Sequence, residues 1–376
     1  MSDSGLERFR RIKTRILTEG VAGNPLPPPP VGGGPIFVMA SFRVWDVEDP
    51  ENAEQIGIVA DPQIGFGNVI LKDGDTCWCA DPQGNLASVD VEVTTAPVVL
   101  DQLQIVNCTN QGLAIDGAVL YLISGVAGGV LGENTLYVIN ASNPSNISVT
   151  TSYEMLTAFA VVQRFPRAIA NYSGTHRLYI VSAESGFNTV FASYNATTPG
   201  AITQQGTLNL VVAPAFSQAA ALAINHPLVY ALLTGNGTSV AAALKIIDVT
   251  DPAAPSVLST TTIGLATDRM RELQIDGTTL YIGGSTLNDS VGDPSKILTY
   301  DVTNSAAPSL SATLTLTGIT RPLTSMFIRD DVAYVGSAGD SEASAYFSIW
   351  DFTDGLQFQS ELGAAAVSGV ALTGDA

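Results

Sequence analysis

The sequence predicts an all-β fold, a seven-bladed β-propeller of four-stranded blades whose ring is closed by a C-terminal strand lodged in the first blade. A short N-terminal helix and a Pro/Gly linker are expected to precede it. Three observations carry this expectation. A phrase centred on Asp or Asn returns about every fifty residues, with its polar anchor at 46, 90, 140, 195, 248, 301 and 351, a spacing that suits one four-stranded blade per copy. Charged residues make up only 14% of the 376, and Thr, Val, Ser, Gly and Asn are abundant, as many short strands and tight turns require. Finally, the start of the first blade lacks an innermost strand, and the C-terminus supplies a match for it.

Residues 1–20 read as an amphipathic helix. Ser4 and Glu7 make a capping-box pattern, and Gly20 stands where a helix would stop. Leu6, Phe9, Ile12, Ile16 and Leu17 fall on one face, spanning an arc of roughly 140°, with Arg8, Arg11 and Arg15 opposite. So short a helix is marginal alone in water, so these five residues are expected to form an anchor against another protein. Residues 21–35 read as a linker, in which Pro25-Leu26-Pro27-Pro28-Pro29-Pro30 is a stiff spacer and Gly32-Gly33-Gly34 a swivel. The propeller is then expected over 36–376.

Blade six is the clearest copy, with expected strands at Arg271–Asp276, Thr279–Gly284, Lys296–Val302 and Ser309–Leu316 and an Ile275-Asp276-Gly277 turn between the first two. The same template finds blade three over 112–153, blades four, five and seven over 168–210, 219–263 and 324–362, and a less regular blade two over 66–106. In blade one, Ile36–Ala40 aligns with the second strand of the template. Gly369-Val370-Ala371-Leu372-Thr373-Gly374 matches Glu272-Leu273-Gln274-Ile275-Asp276-Gly277. The C-terminal segment is therefore expected to pair with Ile36–Ala40 and remove an open edge.

The pattern Asp-Val-x-Asp-Pro, followed by a β-run and then by Arg-x-x-x-Ile-Asp-Gly-x-x-Leu-Tyr-Ile, resembles the LVIVD-type repeats of bacterial, archaeal and viral surface propellers. It is clear in blades five and six and weak in two and four. The resemblance implies a propeller and no particular activity, because propellers serve as binding platforms and as enzymes.

The net charge of −19 divides into +2 over residues 1–35 and −21 over the rest. An acidic body argues against nucleic acid and anionic membrane as partners of the propeller. No run of eighteen apolar residues occurs, so no membrane span is expected, and the N-terminus lacks the unbroken apolar core of a signal peptide. Cys77, Cys79 and Cys108 read as packed thiols, and with only His176 and His226 a zinc site has little to draw on.

The recurring Asp reads as turn punctuation, since a carboxylate or amide before a Pro-containing turn caps it. Arg164, Arg167, Arg269, Arg271 and Arg321 lie in the connections leading into innermost strands. Clustered at the channel, they could hold a carboxylate or phosphate through bidentate hydrogen bonds; paired with neighbours such as Asp268 and Glu272, they would be structural. The irregular loops Gly125–Asn134, Glu184–Asn188, Gly235–Ala241, Thr286–Ser295 and Ala338–Ala345 project on that side and are the expected recognition surface. Asp289 and Asp293 are a weak Ca²⁺ candidate without regular ligand spacing, and no other cofactor is expected.

No nucleophile elbow, phosphate-binding loop or zinc spacing occurs. The expectation is accordingly a noncatalytic virion protein, a phage head or tail appendage held by residues 1–30 on another virion or scaffold protein. Its propeller loops would contact a host glycan or surface protein, in many copies within an assembly. Two alternatives stand beside it: a cytoplasmic propeller scaffold for protein partners, and a glycan hydrolase or lyase using paired carboxylates at the channel.

Overall fold

The computed structural model describes residues 36–38, 42–47, 52–59, 69–81, 84–105, 109–125, 135–155, 164–184, 189–211, 218–234, 241–265, 268–285, 294–316, 322–337, 346–352, 355–361 and 370–372. Six blades are each made by four consecutive antiparallel strands. In chain order the first of these comprises β4 (Val69–Asp73), β5 (Thr76–Ala80), β6 (Asn85–Asp90) and β7 (Val98–Gln104). The next comprises β8 (Thr109–Asp116), β9 (Val119–Gly125), β10 (Thr135–Asn140) and β11 (Ser148–Glu154). They are followed by β12 (Arg164–Tyr172), β13 (Arg177–Glu184), β14 (Thr189–Asn195) and β15 (Thr203–Val211), and by β16 (Gln218–Asn225), β17 (Leu228–Thr234), β18 (Ala242–Asp248) and β19 (Ser256–Ile263). The last two are β20 (Arg269–Asp276), β21 (Thr279–Ser285), β22 (Ser295–Asp301) and β23 (Ser309–Leu316), then β24 (Leu323–Arg329), β25 (Val332–Ser337), β26 (Tyr346–Asp351) and β27 (Gly355–Glu361).

A further four-stranded sheet is composite. It takes β1 (Ile36–Val38), β2 (Arg43–Asp46) and β3 (Glu54–Ile58) from one end of the chain and β28 (Val370–Leu372) from the other. Ile36 faces Leu372, Phe37 faces Ala371 and Val38 faces Val370 in an antiparallel register. The innermost strands β4, β8, β12, β16, β20, β24 and β28 neighbour one another in turn around a channel, and β28 returns to β4.

The expectation of a seven-bladed ring behind an N-terminal helix is corrected to six blades of four consecutive strands and one composite sheet, with no α-helix among the described residues. The helical turns at Ser173–Thr175 and Pro199–Ala201 are single 3-10 turns. Residues 1–35, where the helix, the linker and the anchor residues Leu6, Phe9, Ile12, Ile16 and Leu17 were expected, lie outside the described residues. No described helix is long and apolar enough to cross a membrane.

The core is laid down between blades rather than within them. In six of the sheets the second strand brings one aromatic to the same level, as Trp78, Tyr121, Tyr179, Tyr230, Tyr281 and Tyr334, all buried. Burial pushes the Tyr121 hydroxyl up to about 12, and the hydroxyls of Tyr179, Tyr230, Tyr281 and Tyr334 also rise. One cluster joins Tyr230, Leu232, Leu244 and Ile246 of one blade to Met270, Leu280, Ile282 and Leu298 of the next. Cys77 and Cys79 are free and buried, and desolvation raises both thiols, which makes them packing residues.

The recurring phrase folds as two successive side-chain-capped turns. Asp248 Oδ1 accepts the Thr250 N–H at 2.8 Å, and Asp251 Oδ1 accepts the Ala253 N–H at 2.9 Å. The same pair recurs at Asp301 with Thr303 and at Asn304 with Ala306, at 2.8 and 3.2 Å. These hydrogen bonds hold the Asp248 and Asp301 carboxyls below their ordinary range. Each capped turn then seats on the preceding blade. Ser88 Oγ donates to Pro144 O at 2.6 Å, Ser259 Oγ donates to Ser305 O at 2.7 Å, and Ser193 Oγ donates to Pro252 O. The repeated carboxylates are thus consumed as fasteners between blades.

Candidate active site

The innermost strands share a second irregularity. Five of them carry a β-bulge soon after they begin, where the cross-strand register steps over Gln111, Arg167, Ala220, Arg271 and Thr324. A bulge adds one residue to one strand and re-aims the side chains beside it. The five bulges therefore form a ring at the channel mouth where the inner strands start. Arg167 and Arg271 occupy equivalent places in this ring.

The residue after each bulge is small in four blades, as Gly112, Ala168, Ala221 and Ser325, and is Glu272 in the fifth. The reason for small residues is visible at Gly112, where an added Cβ would stand 3.1 Å from Ile169 of the next inner strand. Blade six places a carboxyl in this crowded seam. Glu272 is half-buried, yet desolvation by its surroundings pushes its carboxyl up to about 8, against a smaller opposing effect of the Arg271 charge.

Two residues before the bulge, Arg269 opens β20 and pairs with Ser285. Its side chain is partly buried, and Nε is shielded from solvent with no hydrogen-bond partner among the described residues. Arg271 is exposed. Asp268, expected as an ion partner of these arginines, is placed elsewhere. Its Oδ2, buried with the rest of the side chain, receives Lys296 Nζ at 2.6 Å and the Leu265 N–H at 2.8 Å. Asp268 instead braces the connection that delivers Arg269, Arg271 and Glu272 to the mouth, where Leu265 stands exposed.

Of the other expected site residues, Arg164 and Arg167 lie in β12 by their backbone, and their side chains are not among those described. Arg321, Asp289, Asp293 and nearly all of the expected recognition loops lie outside the described residues. No group of three or more His, Cys, Asp or Glu placed to hold a metal ion occurs among the described residues. The two histidines sit at the opposite end of the inner strands. The His226 ring stacks on Tyr172 at 4.0 Å, and His176 Nδ1 lies 2.6 Å from Asp116 Oδ2.

Chemically, the starting mouth offers a carboxyl with a raised proton affinity that feels the Arg271 charge, with Arg269 two residues before Arg271 on the same strand. A carboxylate of that basicity can take a proton from water, and guanidinium groups can stabilise an oxyanion. Glu272 was read from sequence only as an ion partner. Its distinction appears when the five bulges are aligned.

No family model matches the sequence, and no curated protein matches it. Among solved structures, the periplasmic gluconolactonase PpgL of Pseudomonas aeruginosa superposes with a TM-score of 0.67 at 10% identity, over 90% of this chain and 98% of that one. A protein from Bacteroides uniformis assigned as a 6-phosphogluconolactonase gives 0.66 at 12% identity, over 91% and 100%. A hypothetical selenium-binding protein from Sulfolobus tokodaii gives 0.66 at 10% identity, over 91% and 94%. At such identities the likeness is one of fold, and the chain is a β-propeller. The resemblance to LVIVD-type repeats finds no family match and extends no further than that fold.

The expectation of a noncatalytic virion appendage is corrected on two grounds. It rested on a tether and an acidic ring without catalytic motifs, whereas blade six brings a desolvated carboxyl and two arginines to one mouth. Of the three like folds described above, two are named as lactonases, and none is described as a virion protein.

Proposed function

We propose that this protein is a hydrolase that opens a small lactone or related cyclic ester at the channel mouth of blade six. The observation that carries the reading is Glu272, an ionisable residue in a seam that the other bulged blades fill with Gly, Ala or Ser. The lactonases that share the fold support the choice of reaction class.

In this reading the Glu272 carboxylate is the general base. It takes a proton from a water molecule as the water oxygen bonds to the lactone carbonyl carbon, and the carbonyl electrons move onto oxygen. Arg271 and Arg269 stabilise the resulting oxyanion. Collapse of the intermediate restores the carbonyl and breaks the ring C–O bond, and the departing alkoxide takes the proton back from Glu272. The product is the open hydroxy acid, and the enzyme regains its starting state.

The test is proton release from a panel of γ- and δ-lactones of sugar acids by the purified full-length chain. Hydrolysis well above the spontaneous rate is expected, with Glu272→Gln lowering kcat by about a hundredfold, the usual size of a general-base contribution. Full activity in Glu272→Gln, or no turnover of any lactone, would refute the proposal.

A further inference from the structure

Glu272 stands in a seam between two sheets, and a second side chain of the same strand ties that seam shut. Beyond its bulge β20 alternates regularly. Leu273 and Ile275 turn to the core shared with the preceding blade, so Glu272 and Gln274 lie on the opposite face, toward β24 of the next blade. Gln274 crosses to that strand. Its Nε2 donates to Ile328 O at 2.6 Å, and its Oε1 accepts the Ile328 N–H at 2.7 Å.

These two bonds reproduce the exchange that joins a hydrogen-bonded pair in an antiparallel ladder, although β20 and β24 belong to different sheets. By comparison, Asn171 and Asn225 each tie an inner strand to the neighbouring blade by one hydrogen bond to a carbonyl, that of Ile115 and that of Gly277. The start of β24 is pinned as well, because the Leu323 N–H donates to Ser295 Oγ at 3.0 Å. Between these two points the seam is filled by buried Leu323 and Met326. A Cβ on Gly283, the cross-strand partner of Glu272, would stand 3.0 Å from Met326 Sδ and 3.2 Å from Leu323 Cδ2.

From this arrangement we propose that Gln274 is a positioning residue for Glu272, its amide holding β20 against β24 so that water stays out of the seam beside the carboxyl. The proposal rests on the reading of Glu272 as the base, although the clasp itself requires no turnover. It accounts for desolvation being what raises the Glu272 carboxyl. Few other charges face this strand. On β20 and just before it stand Arg269, Arg271, Asp276 and Asp268, the last held by Lys296. Of the strands packed against it, β17 and β21 add only the Tyr230 and Tyr281 hydroxyls, β24 adds Arg329 at its far end, and β16 adds none.

The experiment is an NMR titration of isotope-labelled glutamate carboxyls in the full-length chain, with Glu272 assigned by the signal that Glu272→Gln removes. A midpoint of about 8 is expected in the native chain, falling by about one pH unit or more toward the ordinary 4.5 in Gln274→Ala, where water enters the seam. Asn225→Ala also removes a tie between blades and should leave the midpoint where it was, which separates positioning from stability. If Gln274→Ala fails to melt cooperatively, Gln274→Asn, which keeps the amide but shortens its reach, decides by the same shift. An unchanged midpoint in the Gln274 variant, or an equal fall in Asn225→Ala, would overturn the inference. A fall without lactone turnover by the native chain would sink the hydrolase reading alone, whereas turnover with an unmoved midpoint would sink this inference alone.

Discussion

Glu272 shows how one residue separates catalysis from stability. A carboxyl whose proton affinity is raised on folding favours the native state fully at low pH, and that contribution is lost as pH rises from the unfolded value of about 4.5 through the folded value of about 8. Replacing it with an uncharged isostere should therefore raise the melting temperature of the protein at pH 8 and leave it nearly unchanged at pH 4. Differential scanning calorimetry at the two pH values checks this, and equal melting temperatures at pH 8 would mean that Glu272 is not strained by burial. Neither Glu272 nor the Asp268 brace had a local signature. Lys296 reaches Asp268 across 28 residues, and Glu272 is unusual only when a bulge, which leaves no mark in composition, sets it level with Gly112 and Ala221.

At the scale of elements, the turn that ends each third strand does two jobs, since it reverses the chain and fastens it to the preceding blade. Gly206 marks how closely the two approach. A Cβ there would stand 2.5 Å from Pro252 O, 2.8 Å from Ala253 O and 2.8 Å from the Pro255 ring. Backbone cannot yield as a flexible side chain can, so Gly206→Ala should cost about 1–3 kcal/mol, read as a lower urea midpoint with an unchanged slope. An unchanged midpoint would mean that the outer turns do not bear on the neighbouring blade. These turns were legible in sequence, because Asp248, Asp251, Asp301 and Asn304 bond to N–H groups two residues away, and a contact that local leaves a local pattern. What the turns press against was not legible, because the partner lies 59 residues off.

For the molecule as a whole, β28 gives the ring its closure. Its register with β1 was readable because residues 369–374 copy residues 272–277 closely enough to mark a displaced inner strand. Without β28, the two inner strands that flank it, β4 and β24, would each lose a neighbour. Removing residues 367–376 should lower the melting temperature of the entire protein in a single transition, because each blade buries its faces only against the next. A truncated chain melting at the full-length temperature would show that closure contributes nothing.

The ring also sets the direction of its channel. Every inner strand runs the same way around the axis, so residues that begin these strands gather at one mouth and residues that end them at the other. If Glu272 acts as the base in ester hydrolysis, its titration must govern the rate, which is read most directly from the pH dependence of lactone hydrolysis by the full-length chain, corrected for the spontaneous rate. With Glu272 as the base, kcat/KM rises with pH and levels off above an apparent pKa of about 8, and the rise is abolished in Glu272→Gln. A profile that is flat across this range, or that rises identically in Glu272→Gln, would contradict it.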